Sequence, residues 1–170
     1  GPMYIRLAKG YDPIVTNDEV PFGIGKAIPM REGGDALVIT TGITLKLALE
    51  AARELAVAGI ECAVLHMPTV KPLDTASLLE RAKKIPVIIS VEENTMIGGL
   101  GGAVAETIAE ADFDSVKRFR RIGIPDIFAN HYGTQAQLME HYCISTAEIV
   151  STVINLRSDR NQQLTAQHRK

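Results

Sequence analysis

Two adjacent carboxylates are placed where they could do acid/base chemistry. Glu92 and Glu93 follow an apolar, strand-like run at 87–91, and Asn94 comes next to them. Ligands of α/β proteins generally bind at the carboxyl ends of strands, and paired carboxylates there could transfer protons. The favoured interpretation is plainer: one glutamate caps the following helix turn and the other is solvated or bridges subunits. Asn94 then serves as a turn residue or a hydrogen-bonding contact.

A glycine-rich segment follows at 98–102. Its GLG sequence at 99–101, between strand and helix, is similar to a dinucleotide-binding turn, and exposed amides at a helix N-terminus could hold an anion. A full GxGxxG pattern would need glycine at position 104, where Val104 stands. Close backbone packing, at the start of the helix or at a subunit contact, is therefore the favoured explanation of these glycines.

Histidines and cysteines give weaker signals. His66 ends a strand-like run and is interpreted as a structural or interface histidine, whereas His131, in a loop, is better exposed for a function. The four histidines, and the cysteines Cys62 and Cys143, have neither metal-ligand spacing nor a Cys/His nucleophile arrangement. The residues alone therefore predict no metal site and no self-sufficient catalytic set.

The elements that must position these residues alternate between strand and helix. Expected strands cover 3–7, 27–31, 36–40, 61–67, 87–91 and 116–122, and expected helices cover 45–56, 75–82, 103–110, 134–142 and 146–155. Asp74 and Ser145 are natural helix N-caps. The strands at 27–31 and 36–40 are expected to form a hairpin-like pair. The alternation predicts an α/β fold, a three-layer α/β/α sandwich with a mostly parallel sheet.

Composition excludes several classes of function. The chain has 170 residues, is 46% hydrophobic and carries 18 basic and 20 acidic residues, which suits one compact domain. A net charge of −2 without basic clusters predicts neither a nucleic-acid partner nor an anionic membrane. No apolar run is long enough for a membrane span, and two distant cysteines fit a reducing compartment, so a cytoplasmic protein is expected.

Four ordered motifs resemble those of the transketolase C-terminal domain family. They are LHMPTVKPLD at 65–74, VEENTMIGGLGGAV at 91–104, IGIPDIF at 122–128 and GTQAQLMEHYCIST at 133–146. The resemblance runs from residue 1 to about residue 154. It implies a five-stranded sheet with one antiparallel strand.

The start of the chain resembles the last strand of the pyrimidine-binding domain that precedes this domain in the family. The resemblance implies that residues 1–21 are that strand and a linker and that 22–156 form the C-terminal domain. Residues 157–170 are polar and nonperiodic, and they are expected to be a flexible tail. By the same resemblance Lys9, with Arg6, is expected to bind a substrate phosphate. Lysine stands at position 9 where relatives usually have arginine.

Family resemblance also implies the biochemistry. Thiamine diphosphate and a divalent metal such as Mg²⁺ would be held by the diphosphate-binding and pyrimidine-binding domains of the full assembly, with no cofactor or catalytic residue in this chain. The assembly would be a homodimer or a split-subunit complex that acts on sugar phosphates. The expected residues of the interface or active-site rim are Glu92, Glu93, Asn94, Gly98, Gly99, Gly101 and His131.

The expected activity is ketol transfer by a transketolase, with this chain inactive alone. One alternative is the C-terminal part of a 1-deoxy-D-xylulose-5-phosphate synthase, because the VEEN and GTQ segments are similar to those enzymes. The other alternative is a noncatalytic module that binds a small anion or nucleotide at the glycine-rich turn.

Overall fold

The computed structural model describes residues 1, 2, 4, 5, 14, 15 and 22–167, with side chains described as far as Ser158. Arg6, Lys9 and most of the strand predicted at 3–7 lie outside these residues. The elements are, in chain order, β1 Ile28–Arg31, β2 Ala36–Thr40, α1 Thr44–Val57, β3 Cys62–His66, α2 Thr75–Lys84, β4 Val87–Thr95, α3 Leu100–Ala109, β5 Arg118–Ile124, α4 Gln135–His141 and α5 Thr146–Gln167.

Five strands form one sheet in the order β1-β3-β2-β4-β5. Strand β1 runs antiparallel to β3, and the other neighbours are parallel, with Val38 opposite both Val64 and Ile89. The prediction of a mostly parallel, five-stranded sheet with one antiparallel strand is confirmed. All parallel strands place their carboxyl ends at the same edge, where Glu92 and Glu93 lie near the end of β4 and the glycine-rich segment follows it.

Helices cover both faces of the sheet. Alternate residues of β2 point to opposite sides: Val38 packs in a core with α1 and α5, and Leu37 packs in a core with α2 and α3. Every residue of β2 and β3 is buried, as expected for central strands of a parallel sheet covered by helices. The three-layer prediction is confirmed. Among the described residues, no helix combines the length and apolar character needed to cross a membrane.

The hairpin-like pairing predicted for the first two β-strands of this sheet is wrong. Strand β1 lies beside β3, because both edges of β2 are already paired, with β3 and with β4. The connection between β1 and β2 packs closely against the start of β3. Gly33 lies so near that strand that an added Cβ would be 2.5 Å from the Ala63 nitrogen. The Asp35 N–H also donates to the Glu61 carbonyl over 2.9 Å. The prediction rested on the closeness of β1 and β2 in sequence. The two strands do not pair, because β3 and β4 occupy both edges of β2.

Element boundaries differ most from the predictions in four elements, β4, β5, α3 and α5. Strand β4 continues to Thr95 and β5 lies two residues later than expected, since it begins where Arg118 pairs with Val87. Helix α3 begins at Leu100, inside the glycine-rich segment. Helix α5 continues to Gln167, although 157–170 was expected to be a nonperiodic tail. Residues 157–167 are polar but contain no glycine or proline, and polarity alone does not end a helix.

Candidate functional site at the carboxyl edge of the sheet

Glu92 lies buried between the end of β4 and the start of α3. Its side chain is 1% exposed, and its two oxygens accept hydrogen bonds from the Leu100 N–H at 2.9 Å and the Gly101 N–H at 2.7 Å. The first N–H groups of a helix have no partner within the helix and favour a negative charge. The prediction that one of the paired glutamates caps the following helix is therefore confirmed for Glu92.

Opposing effects act on the Glu92 carboxyl. Burial raises its pKa, while the Gly101 and Leu100 N–H donors and the Arg121 guanidinium act in the opposite direction. A buried carboxyl with a raised pKa is a common feature of catalytic acids. Here both oxygens are occupied by backbone donors of α3, and the group is closed to solvent. The geometry favours a structural role over proton transfer to a substrate.

The glycines of the segment allow this close approach. A Cβ on Gly99 would collide with Glu92 Oε2, and a Cβ on Gly101 would lie 3.0 Å from Glu92 Oε1 and 2.8 Å from Arg121 Cδ. Gly123 on β5 would place a Cβ 3.0 Å from Glu92 Cγ. Three glycines thus surround one carboxylate, which supports the close-packing interpretation. The amides that would hold a phosphate in a nucleotide site already bind Glu92.

Glu93 lies at the rim of the same edge and is half-buried. Its Oε2 accepts a hydrogen bond from Gln135 Nε2 at 2.7 Å, which connects the end of β4 to the first residue of α4. Asn94 is also half-buried, and its backbone oxygen lies close to Gly123. The structure therefore separates the acidic pair into one buried cap and one rim residue. Their proposed part in an interface or an active-site rim stays a prediction.

The two histidines singled out in the sequence have different environments. His66 is 8% exposed, and its Nδ1 is 3.0 Å from Thr40 Oγ1 at the ends of β3 and β2. Burial lowers the pKa of His66 from 6.5 to about 4, so the ring is neutral at pH 7. This supports a structural role. His131 is exposed and its ring centroid lies 3.7 Å from that of His141.

The loop after β3 carries a contact that the sequence prediction missed. Asp74 caps α2 as expected, accepting from the Ser77 N–H at 3.1 Å. Its other oxygen also accepts from the Ala27 N–H at 2.9 Å, 47 residues away. The Ala27 N–H is the leading cause that lowers the pKa of the Asp74 carboxyl, and the Ser77 donors add to it. The cap motif was visible in the sequence; its long-range partner was not.

The described residues do not fit a metal and diphosphate site. Among them, no group of three or more His, Cys, Asp or Glu side chains could hold a metal ion. The N-terminus of α3, where an anion could bind at this edge, is occupied by Glu92. No chemistry of a bound cofactor can be assigned to these side chains.

Residues 25–149 match the family model described as the transketolase C-terminal domain. The chain belongs to the transketolase C-terminal domain family. It is 43% identical over 155 residues to a transketolase family protein of Sinorhizobium fredii, covering 90% of this chain and 44% of that protein. It is 37% identical over 161 residues to the 6-deoxy-6-sulfo-D-fructose transketolase subunit SqwH of a Clostridium species, covering 95% of this chain and 49% of the subunit.

A solved structure of a split-gene transketolase, an inactive beta4 tetramer, has the same domain. It is 32% identical to this chain with a TM-score of 0.75, covering 84% of this chain and 46% of that one. The chain spans about half the length of the relatives just named. In this family the domain is generally part of a larger transferase, and transketolases and 1-deoxy-D-xylulose-5-phosphate synthases are thiamine diphosphate enzymes.

Proposed function

We propose that this chain is the C-terminal section of a thiamine diphosphate-dependent transketolase. The enzyme transfers a two-carbon ketol unit between sugar phosphates, and the chain acts only together with diphosphate-binding and pyrimidine-binding domains. The observation that carries the proposal is the family match over residues 25–149, together with relatives that are transketolase subunits about twice as long as this chain. The use of Glu92 as an internal helix cap supports it, because the most prominent carboxylate is not free for catalysis.

In this proposal the carboxyl edge supports the active-site rim or a subunit contact. Glu93, Asn94, Gly98 and His131 lie on β4 or in the loops that follow β4 and β5. Lys9 and Arg6 bind the substrate phosphate. The assembly is a cytoplasmic homodimer or split-subunit complex, and Mg²⁺ accompanies the thiamine diphosphate in the other domains.

A second candidate is the C-terminal part of a 1-deoxy-D-xylulose-5-phosphate synthase. The chain is 39% identical over 155 residues to such an enzyme from Geobacter sulfurreducens, covering 89% of this chain and 24% of that enzyme. The two candidates differ in chemistry, because the synthase joins pyruvate to glyceraldehyde 3-phosphate and releases carbon dioxide. A noncatalytic anion module has less support, since Glu92 occupies the α3 N-terminus.

The decisive experiment compares the purified chain with the same chain joined to its cofactor-binding domains. We expect no thiamine diphosphate binding by calorimetry and no turnover of xylulose 5-phosphate by the chain alone, and ketol transfer by the assembly. Tight cofactor binding or turnover by the chain alone would contradict the proposal. Carbon dioxide release by the assembly from pyruvate that depends on added glyceraldehyde 3-phosphate would favour the synthase. Phosphate or ATP binding by the chain, abolished in Gly101→Val, would favour the module.

The phosphate contact has its own test within the assembly. Removing one charge-assisted hydrogen bond to phosphate costs about 1.5–3 kcal/mol, so Lys9→Ala should raise KM for a phosphorylated acceptor at least about tenfold. Lys9→Arg is the matched control that keeps the charge. An unphosphorylated acceptor should show little difference between the variants. Equal effects on both acceptors would reject Lys9 as the phosphate contact.

A further inference from the structure

The segment that leads into β1 is bound to the loop between β3 and α2 by two long-range hydrogen bonds. The Gly25 N–H donates to Thr69 Oγ1 at 3.0 Å, and the Ala27 N–H donates to Asp74 Oδ2 at 2.9 Å. In both cases a side-chain oxygen of the loop accepts from the backbone of the segment. These bonds hold residues 25 and 27, on either side of Lys26.

Backbone shape lets the segment lie against the loop. The Lys26 N–H donates to the Gly23 carbonyl at 3.0 Å and closes a turn just before β1. Gly25 has φ +73°, a left-handed conformation that favours glycine. A Cβ at Gly25 would also lie 3.0 Å from Pro72 Cγ. Glycine therefore allows both the turn and the contact with the loop.

Asp74 joins the segment to a rigid element. Its Oδ1 accepts from the Ser77 N–H at the start of α2, and its Oδ2 accepts from both the Ala27 N–H and the Ser77 hydroxyl. Asp74 is 8% exposed, and its hydrogen bonds are partly buried. A single carboxylate thus fixes the approach to β1 relative to helix α2. Thr69 holds the segment at a second point, Gly25, which lies two residues before Ala27.

We propose that Thr69 and Asp74 are positioning residues that set the direction in which residues 22–27 enter this domain. Under the proposed function, the preceding pyrimidine-binding domain is attached through this segment. Thr69 and Asp74 then fix the orientation of that domain against the C-terminal domain. One hydrogen bond would restrain the position of the segment but would leave it free to rotate about that bond, and the second bond, two residues away, limits the rotation.

The contact itself is tested in the 170-residue chain, without any assumption about activity. Amide hydrogen exchange by NMR is compared in the wild type, Thr69→Val and Thr69→Ser. Valine has nearly the shape of threonine but no acceptor, so exchange at Gly25 should accelerate about tenfold or more as the bond is lost, and the serine variant should restore the slow rate. Core amides such as that of Val38 should be unchanged in every variant. Unchanged Gly25 exchange in Thr69→Val would overturn the proposal.

A matched control separates the contact from a general effect of the substitution. Thr107 is half-buried on α3, and its hydroxyl donates to the Ala103 carbonyl within its own helix, far from the segment in sequence. Thr107→Val makes the same chemical change and should leave Gly25 exchange at the wild-type rate. Acceleration in both variants would indicate a global loss of stability and would contradict a specific role for Thr69.

The positioning role is tested in the assembly with the cofactor-binding domains. Thr69→Val should lower kcat several-fold at saturating cofactor with substrate KM little changed, whereas Thr69→Ser and Thr107→Val retain wild-type kcat. Accelerated Gly25 exchange with unchanged kcat in Thr69→Val would reject positioning. A wild-type assembly without ketol transfer would instead reject the proposed function, and the exchange rates would still decide whether Thr69 holds the segment.

Discussion

Substitution of Gly99 by alanine should be strongly destabilising, although Gly99 has an ordinary backbone conformation. Its φ is −98° and its ψ −159°, so a side chain causes no backbone strain. The new Cβ would collide with Glu92 Oε2 and would lie 2.7 Å from the Thr95 carbonyl oxygen. The carbonyl belongs to the backbone of β4 and cannot rotate away. The structure must respond by displacing the Glu92 carboxylate, the start of α3, or both.

The expected cost has two parts. Overpacking in a close-packed region costs about 1–3 kcal/mol. Moving the carboxylate away from the Leu100 and Gly101 N–H groups adds about 1–3 kcal/mol for each buried donor left unsatisfied. Because the surrounding residues can relax in part, the two contributions do not add in full. We expect the free energy of unfolding to fall by about 3 kcal/mol. Urea denaturation of the 170-residue chain, followed by circular dichroism, measures this value.

Gly102 provides the matched control in the same glycine-rich segment. A Cβ there would meet only the Met96 carbonyl oxygen, at 3.9 Å, which is ordinary contact. Since glycine within a helix is less favourable than alanine, Gly102→Ala should stabilise the chain by about 0.5–1 kcal/mol. The two alanine substitutions, three residues apart, should therefore have opposite signs.

Coupling to Glu92 identifies the cause of the Gly99 effect. Glu92→Ala removes the carboxylate that the new Cβ would strike, so Gly99→Ala should cost at least about 1 kcal/mol less in that background than in the wild type. A Gly99→Ala variant within about 0.5 kcal/mol of the wild type would refute the assigned packing. Additive effects of the two substitutions would refute the contact with Glu92 in particular.

Three further predictions concern titration and cysteine chemistry. The pKa of His66 is about 4 in the folded state, and its ordinary value of 6.5 applies to the unfolded chain. On acidification the unfolded chain therefore takes up a proton at this residue before the folded chain does. The free energy of unfolding should therefore fall by up to about 3 kcal/mol between pH 6.5 and pH 4, relative to His66→Gln measured in parallel. Cys143 has φ +57° at the end of α4, where the Ile144 N–H donates to the Met139 carbonyl, so Cys143→Gly should stabilise by about 1 kcal/mol and Cys143→Ala should not. Burial raises the pKa of the Cys62 thiol from 9.0 to about 12, so a thiol reagent at pH 8 should label exposed Cys143 in the native chain and Cys62 only after unfolding.

Local signals in the sequence determined most elements of the fold. Strand β2 matches its prediction at Ala36–Thr40, and helix α1 extends its prediction by one residue at each end. The caps at Asp74 and Ser145 are also confirmed, the second by the Glu148 N–H donating to Ser145 Oγ at 3.2 Å. These features depend on residues within a few positions of one another. The periodicity of apolar residues and the chemistry of a cap are therefore readable from the chain alone.

Which residues far apart in sequence contact each other was determined only by the tertiary structure. The partner of β1 depended on which edge of the sheet was left open after β2, β3 and β4 had paired. The same holds for Asp74, whose cap role was local but whose bond to Ala27 crosses 47 residues.

Glu92 and the glycines around it show both what the sequence determined and what only the folded structure determined. The sequence placed a carboxylate after a strand and glycines before a helix, and left catalysis, capping and nucleotide binding as alternatives. In the folded chain the carboxylate of Glu92 accepts hydrogen bonds from the N–H groups of Leu100 and Gly101. Gly123 of the neighbouring strand packs closely against the Glu92 side chain. Residue types restrict what a group can do. Which partners reach it depends on how strand, helix and neighbouring strand pack, and only the folded chain sets those distances.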